Sequence, residues 1–249
     1  MQDRVINILG ISYCTCDERN VIERIHESVR TRTALTIIQP HFFHAVLGRS
    51  DSNVLNLYRK YDLVLPDGYG VYAASKFLYG NENAFQQFFN GTDFYEVLLK
   101  EADLCQWRIF FFGETENVLE ALKRRLYGAF PGLVIAGTHH GFIDLDDVSV
   151  VSAINASNAD ILLIGMGTPK QDYWLWKYYH DLHVPVTMTV GAGIRFMSGK
   201  KIRAPEALRK AHLEWLFRFF QEPRRLWRRY LLGIPRFMFY IFLQRVRRK

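Results

Sequence analysis

From residue 4 to residue 190 the chain repeats one pattern: a short apolar run, a turn rich in glycine, then a stretch of helical periodicity. Strand-like runs fall at residues 4–11, 34–39, 62–65, 108–112, 133–136, 161–164 and 186–190. Several are apolar at nearly every position, as expected of strands covered by helices on both faces. Residues 117–127 show the intervening pattern, with Val118, Leu119, Leu122 and Leu126 recurring on one helical face. Strand–helix alternation at this spacing predicts an α/β fold: a mostly parallel sheet with helices on both faces. A chain of 249 residues, 49% of them hydrophobic, has the apolar surface to bury such a core, which excludes a disordered or disulfide-stapled class.

Ligands of open parallel sheets bind beyond the carboxyl ends of the strands, so the residues closing each run are the first candidates. The third run ends at Pro66-Asp67-Gly68 and the fourth at Gly113. The fifth ends at Gly137, the sixth at Gly165-Met166-Gly167-Thr168-Pro169-Lys170-Gln171, and the seventh at Gly191. Glycine after a strand lets backbone N–H groups approach phosphate oxygens, and a following helix N-terminus adds favourable partial charge. Five such turns on one rim fit a nucleotide or another diphosphate. Two dinucleotide signals are weaker. Tyr72 and Lys76 have the spacing of a dehydrogenase pair, but no glycine-rich turn follows the first run, and Gly165-x-Gly167 lacks a third glycine. An NAD(P)-dependent oxidoreductase is therefore disfavoured. Asp144 and Asp146 have the spacing of a metal-binding carboxylate pair, yet they precede a helix that Asp147 is placed to cap. No metal or other cofactor is expected.

Charge divides the chain. Residues 200–249 hold 15 basic and three acidic residues, a net +12, which leaves residues 1–199 at −5. The expected organisation is an α/β body over 1–199 and a basic helical appendage over 200–249. Aromatic residues alternate with the arginines there, and residues 230–243 are nearly all apolar. That stretch is too short to span a bilayer but suits its interface, with arginines reaching anionic head groups. An anionic membrane surface is the expected partner, ahead of a solvated basic face and well ahead of nucleic acid. No run of about 18 apolar residues predicts a membrane-spanning helix, and the start does not read as a signal peptide. Cys14, Cys16 and Cys105 are expected to be reduced thiols of a cytoplasmic protein.

A more specific signal runs through the chain: Leu65-Pro66-Asp67-Gly68, Gly91-Thr92-Asp93, the 165–172 segment Gly-Met-Gly-Thr-Pro-Lys-Gln-Asp, Arg203-Ala204-Pro205, Leu213-Glu214-Trp215-Leu216-Phe217-Arg218 and Glu222-Pro223-Arg224-Arg225, in that order. Over roughly residues 5–235 the chain resembles the WecG/TagA/CpsF family of bacterial glycosyltransferases. The resemblance implies a Rossmann-like fold and an inverting, metal-independent transfer of a sugar from a UDP-sugar donor. The implied acceptor is an oligosaccharide on undecaprenyl diphosphate. The implied setting is cell-surface or exopolysaccharide synthesis, peripheral on the cytoplasmic face of the inner membrane.

The resemblance also assigns residues. Asp67 is the implied general base, with Gln39 and His41 beside it where the family carries Thr-x-Asn. Gln171 is the implied donor contact, and Gly68, Gly113, Gly137, Gly165, Gly167, Pro169, Gly191 and Arg195 join it as donor and diphosphate candidates. Arg203, Arg218, Arg225 and Arg228 are the candidates for the acceptor diphosphate or the membrane, and Glu214 and Trp215 for anchoring the appendage. Four positions depart from the family pattern: Gln39-Pro40-His41, Phe88 for an arginine, Arg195 for an aspartate and Asp172 for a glutamate. These keep the donor open between an N-acetylmannosamine-type sugar and glucose. They also leave an inactive UDP-sugar or lipid-binding module as the alternative.

Overall fold

The computed structural model describes residues 4–87, 89–210 and 212–248, so Phe88 lies outside the described residues. The first predicted strand is the one that changes. Residues 4–11 do not join the main sheet; they reverse at Leu9 and Gly10, with φ of 52° and 91°. The result is an antiparallel hairpin of β1 (Val5–Ile8) and β2 (Ile11–Cys14), with Ile6 opposite Tyr13. Positive φ at both central residues matches the twist of a two-residue hairpin turn. Ile6, Ile8, Ile11 and Tyr13 are buried while Val5, Asn7 and Ser12 are exposed, the alternation of a strand pair with one wet face. Cys14 and Cys16, expected as thiols, are joined as a disulfide, their Cα atoms 5.3 Å apart; that spacing lies within reach of a bridge.

The remaining strands build the expected parallel sheet. They are β3 (Leu35–Ile38), β4 (Leu63–Val64), β5 (Arg108–Gly113), β6 (Val134–His139), β7 (Ile161–Gly165) and β8 (Val186–Thr189). Their order is β4-β3-β8-β7-β5-β6, all neighbours parallel. Because successive side chains point to opposite faces, the apolar runs split into two cores. Ile37, Leu63, Ile109, Phe111, Ile161 and Leu163 pack under α1 (Glu18–Thr31), α5 (Gly91–Cys105), α6 (Glu116–Ala129) and the short α9 (Gly193–Met197). Ile38, Val64, Phe110, Phe112, Leu162 and Ile164 pack under α2 (Phe42–Ser50), α3 (Ser52–Tyr58), α4 (Gly68–Tyr79), α7 (Ser149–Ala156), α8 (Lys170–Tyr178) and the β1–β2 hairpin. The helix expected over 117–127 is α6, and its buried residues are the four that set the pattern.

Beyond α9 the chain forms α10 (Glu206–Lys210), α11 (Glu214–Gln221), α12 (Pro223–Trp227), a π-helical turn over Arg228–Leu232, and α13 (Gly233–Arg247). α13 is built into the body. Phe237 and Ile241 are buried in the same core as Ile6 and Ile8. The Gln244 side chain accepts from the Leu9 N–H (2.9 Å) and donates to the Asn7 carbonyl (2.9 Å). No described helix is long and apolar enough to cross a membrane.

Candidate active site

Beyond the end of β4, Asp67 occupies the position that would cap α4, but its side chain makes no capping bond. Its Oδ1 accepts instead from the N–H of Gly91, the first residue of α5, at 3.1 Å. Burial raises the Asp67 carboxyl above the ordinary carboxylate range, opposed by that N–H and by Arg218. At Gly91 two segments pass closely. A Cβ there would lie 2.4 Å from Gln39 Oε1 and 3.5 Å from Asp67 Oδ1. Gln39 is only 7% exposed, and neither end of its amide has a partner among the described residues. A buried amide left open on both ends is costly unless a ligand or solvent satisfies it.

Asp67 lies on the wall of a cavity of about 660 Å³ enclosed between α4, α2 and the 209–242 segment. Its polar end carries His41, Asn90, Glu214 and three arginines, Arg209, Arg218 and Arg229. His41 Nδ1 accepts from the Phe43 N–H (3.1 Å), which places the ring proton on Nε2. Burial, His44 and the arginines hold His41 well below its ordinary pKa, so it is a neutral donor. Glu214 fixes Arg218 through paired contacts and receives Asn90 Nδ2 at 3.3 Å. Burial alone would raise the Glu214 pKa, but Arg218 brings it down. Arg218 also reaches Thr92 Oγ1 at 3.4 Å and covers the Phe196 ring. Arg229 lies over the Phe43 ring, has no carboxylate within ion-pair distance among the described residues, and is lowered by its burial.

The Gly91-Thr92-Asp93 motif is therefore a socket. Gly91 holds Asp67, Thr92 meets Arg218, and Asp93 pairs with Arg203 while Arg209 stands 4.0 Å away. Aromatic contacts close the other side: Phe42 stacks on Tyr230 and meets Phe237 edge-on, and Tyr69 stacks on His212.

The predicted residues divide into groups. Asp67, Gly68, His41 and Arg218 line the cavity together. Gln171, 2% exposed, accepts from the Gly191 N–H at 3.1 Å and ties α8 to the turn after β8. Gly113 and Gly165 are paired across β5 and β7, so close that a Cβ on Gly113 would stand 2.4 Å from the Gly165 carbonyl carbon. Gly167 and Gly191 leave open space on their Cβ side, and Pro169 follows a cis peptide bond. Gly137 is not in a turn. β6 runs on to His139, and the Phe110 ring fills the space a Gly137 side chain would need. Arg195 is held by Glu114 through two contacts, one of 3.1 Å, with Glu222 4.0 Å away. Arg225 pairs with Glu222 at 3.2 Å, and exposed Arg228 covers Trp227. Arg209 and Arg229 were not singled out by sequence, although both line the cavity. Asp144 and Asp147 are spent on local turns and Asp146 on Lys177.

An open parallel sheet that ends at a half-buried carboxylate facing arginines is suited to group transfer on phosphorylated substrates. The chain belongs to the Glycosyl transferase WecG/TagA/CpsF family, which it matches over residues 6–249. It is similar to an N-acetylglucosaminyldiphosphoundecaprenol N-acetyl-beta-D-mannosaminyltransferase of Bacillus spizizenii, 34% identical over 177 residues, 71% of this chain and 66% of the relative. A Staphylococcus aureus (strain MW2) protein of the same name is 29% identical over 238 residues, 95% of this chain and 91% of the relative. The motif resemblance is thus borne out as family membership, and the enzyme is a glycosyltransferase.

Proposed function

We propose that this enzyme moves a hexosyl unit from a UDP-sugar to a hydroxyl of a glycan carried on undecaprenyl diphosphate. The acceptor class follows the similar mannosaminyltransferases, whose names specify N-acetylglucosaminyldiphosphoundecaprenol. The observation that carries the mechanism is Asp67: a half-buried carboxylate on the cavity wall that is not used to cap its own helix. In the proposed step the acceptor oxygen attacks the anomeric carbon, the bond from that carbon to the UDP phosphate oxygen breaks, and the acceptor proton passes to Asp67. A raised pKa makes Asp67 a stronger base for this transfer. Negative charge developing on UDP is met by Arg218, and neutral His41 adds a hydrogen-bond donor. The donor is assigned to the rim formed by Gly165, Gly167, Pro169, Gln171 and Gly191. Gln39 is assigned to the reacting sugar, since its amide is open and beside Asp67.

Residues 200–249 are proposed as the part that docks on the cytoplasmic face of the membrane while walling the cavity. Exposed Trp227, Leu231, Met238, Phe239 and Phe242 provide the apolar contact. Arg225 and Arg228 are assigned to the membrane surface, and Arg203 to holding Asp93. Arg195 is paired with Glu114, so the reversed charge relative to the family is locally balanced and the rim suits either an N-acetylmannosamine-type donor or glucose.

The test is a panel of UDP-sugars incubated with a detergent-solubilised undecaprenyl-diphosphate-linked acceptor and EDTA, following UDP release. One donor is expected to give acceptor-dependent release that Asp67→Asn abolishes. Full turnover by that variant would remove Asp67 as the base.

A further inference from the structure

The polar end of the cavity accounts for less than half of its lining. From Asp67 the space continues between α4 and α13, walled by Ala73, Ala74 and Phe77 on one side and Ile234, Met238 and Phe242 on the other. These positions recur at helical spacing on both helices, so each presents one apolar stripe to the gap. The gap is held at both ends. Near Asp67, Phe42 contacts Gly70, Tyr230 and Phe237. At the far end the Arg245 guanidinium donates to the Leu78 carbonyl (2.7 Å) and Arg248 covers the Tyr79 ring. α4 and α13 therefore run side by side in the same direction away from the carboxylate. Phe77 lies ten residues beyond Asp67, about 15 Å along a helix. There the groove reaches the surface, where Phe77, Met238 and Phe242 are 51%, 66% and 56% exposed.

We infer that this groove holds the first isoprene units of a polyprenyl diphosphate, with the diphosphate at Arg229 and the chain leaving past Phe77 and Met238. The inference rests on the proposed lipid-linked acceptor and gives that acceptor a path. The six apolar wall residues offer no side-chain hydrogen-bond partner, so a sugar or nucleobase placed there would lose its bonds to water without replacement. A hydrocarbon loses nothing. Its head must be anionic, because the groove opens from a half-buried cation, Arg229, that has no carboxylate partner among the described residues. A phospholipid seated tail-first would leave that end unmet. An amphiphile whose phosphate-linked head lies beside Asp67 satisfies both ends.

The experiment compares binding of farnesyl diphosphate and isopentenyl diphosphate to the full chain by calorimetry. These ligands share the diphosphate and differ in hydrocarbon length. Wild type is expected to bind farnesyl diphosphate at least 30-fold more tightly. Ala73→Leu, which fills the groove, and Met238→Glu, which charges its exposed flank, are each expected to shrink that ratio at least tenfold. Met238 is largely exposed, so the second variant tests the groove even if the first misfolds. Equal affinity for the two ligands in wild type, or displacement of farnesyl diphosphate by phosphatidylglycerol vesicles, overturns the inference. So does a ratio unchanged in a folded variant. Chain-length dependence in an enzyme that turns over no UDP-sugar would support the groove and remove the proposed reaction. Turnover indifferent to acceptor chain length would do the reverse.

Discussion

The N–H of Gly91 donates to Asp67 Oδ1 at 3.1 Å, and this bond joins the end of one strand to the start of a distant helix. It sets the carboxylate's direction, because Asp67 is released from capping α4. Gly91→Ala would push a methyl group into Gln39 and towards Asp67. Displacing a reacting group by about 1 Å costs on the order of 100-fold in rate. The expected outcome is a loss of kcat of that size with a nearly unchanged far-UV spectrum, measured by UDP release.

The raised Asp67 pKa has a kinetic signature. As the proposed base it must be ionised, so activity is expected to fall as pH drops through its pKa, and burial moves that limb above the usual carboxylate value of about 4. A pH profile of kcat/KM is expected to show this displaced acid limb, with only background turnover left in Asp67→Asn.

Asp172 predicts a separate effect on stability. It is fully buried, accepts from the Tyr61 hydroxyl at 2.7 Å, and is pushed up by burial to about 7. Its folded pKa exceeds the unfolded one, so the folded state holds the extra proton between about pH 4 and pH 7. The resulting stability is full below that window and is lost as pH rises through 7, by up to about 4 kcal/mol. Asp172→Asn keeps an acceptor for Tyr61 and cannot ionise. Its melting temperature should therefore fall less than wild type between pH 5 and pH 8.

Glu214→Ala tests the join between the C-terminal segment and the body. It leaves Arg218 without its ion-pair partner in a mostly buried setting. Loss of a hydrogen bond to a charged group costs about 2 kcal/mol. A lower urea midpoint, together with faster proteolytic cleavage between 199 and 223, is the expected result.

Membrane attachment should follow the exposed arginines. Each basic residue near an anionic surface contributes about 1 kcal/mol. Arg225→Gln combined with Arg228→Gln is then expected to weaken cosedimentation with phosphatidylserine vesicles about 30-fold. An unchanged affinity would place the docking face elsewhere.

Much of this site was legible because glycine and apolar runs mark the strand ends directly. Asp67 and Gln171 stand where those signals put them. The hairpin was not legible, because Leu9-Gly10 lacks the Asn-Gly or Asp-Gly signature of such a turn and the run 4–11 reads as one strand. Gly137 misled for a similar reason: its missing side chain answers to the Phe110 ring rather than to a turn. Arg229 was missed by one position in favour of Arg228. Pro223 interrupts the helical phase after α11, and the π-helical turn over Arg228–Leu232 shifts it again. Periodicity counted from Arg218 cannot carry across both.

The latch between Gln244 and the β1–β2 hairpin also has a consequence for synthesis. Every strand of the sheet leaves the ribosome before α13 does, so the sheet can assemble while the hairpin still lacks its cover and the cavity one wall. On the proposed reading, a nascent chain is inactive until α13, part of the proposed membrane-docking segment, emerges. Completion of the cavity and, on that reading, arrival at the lipid surface become a single late event in the life of the polypeptide.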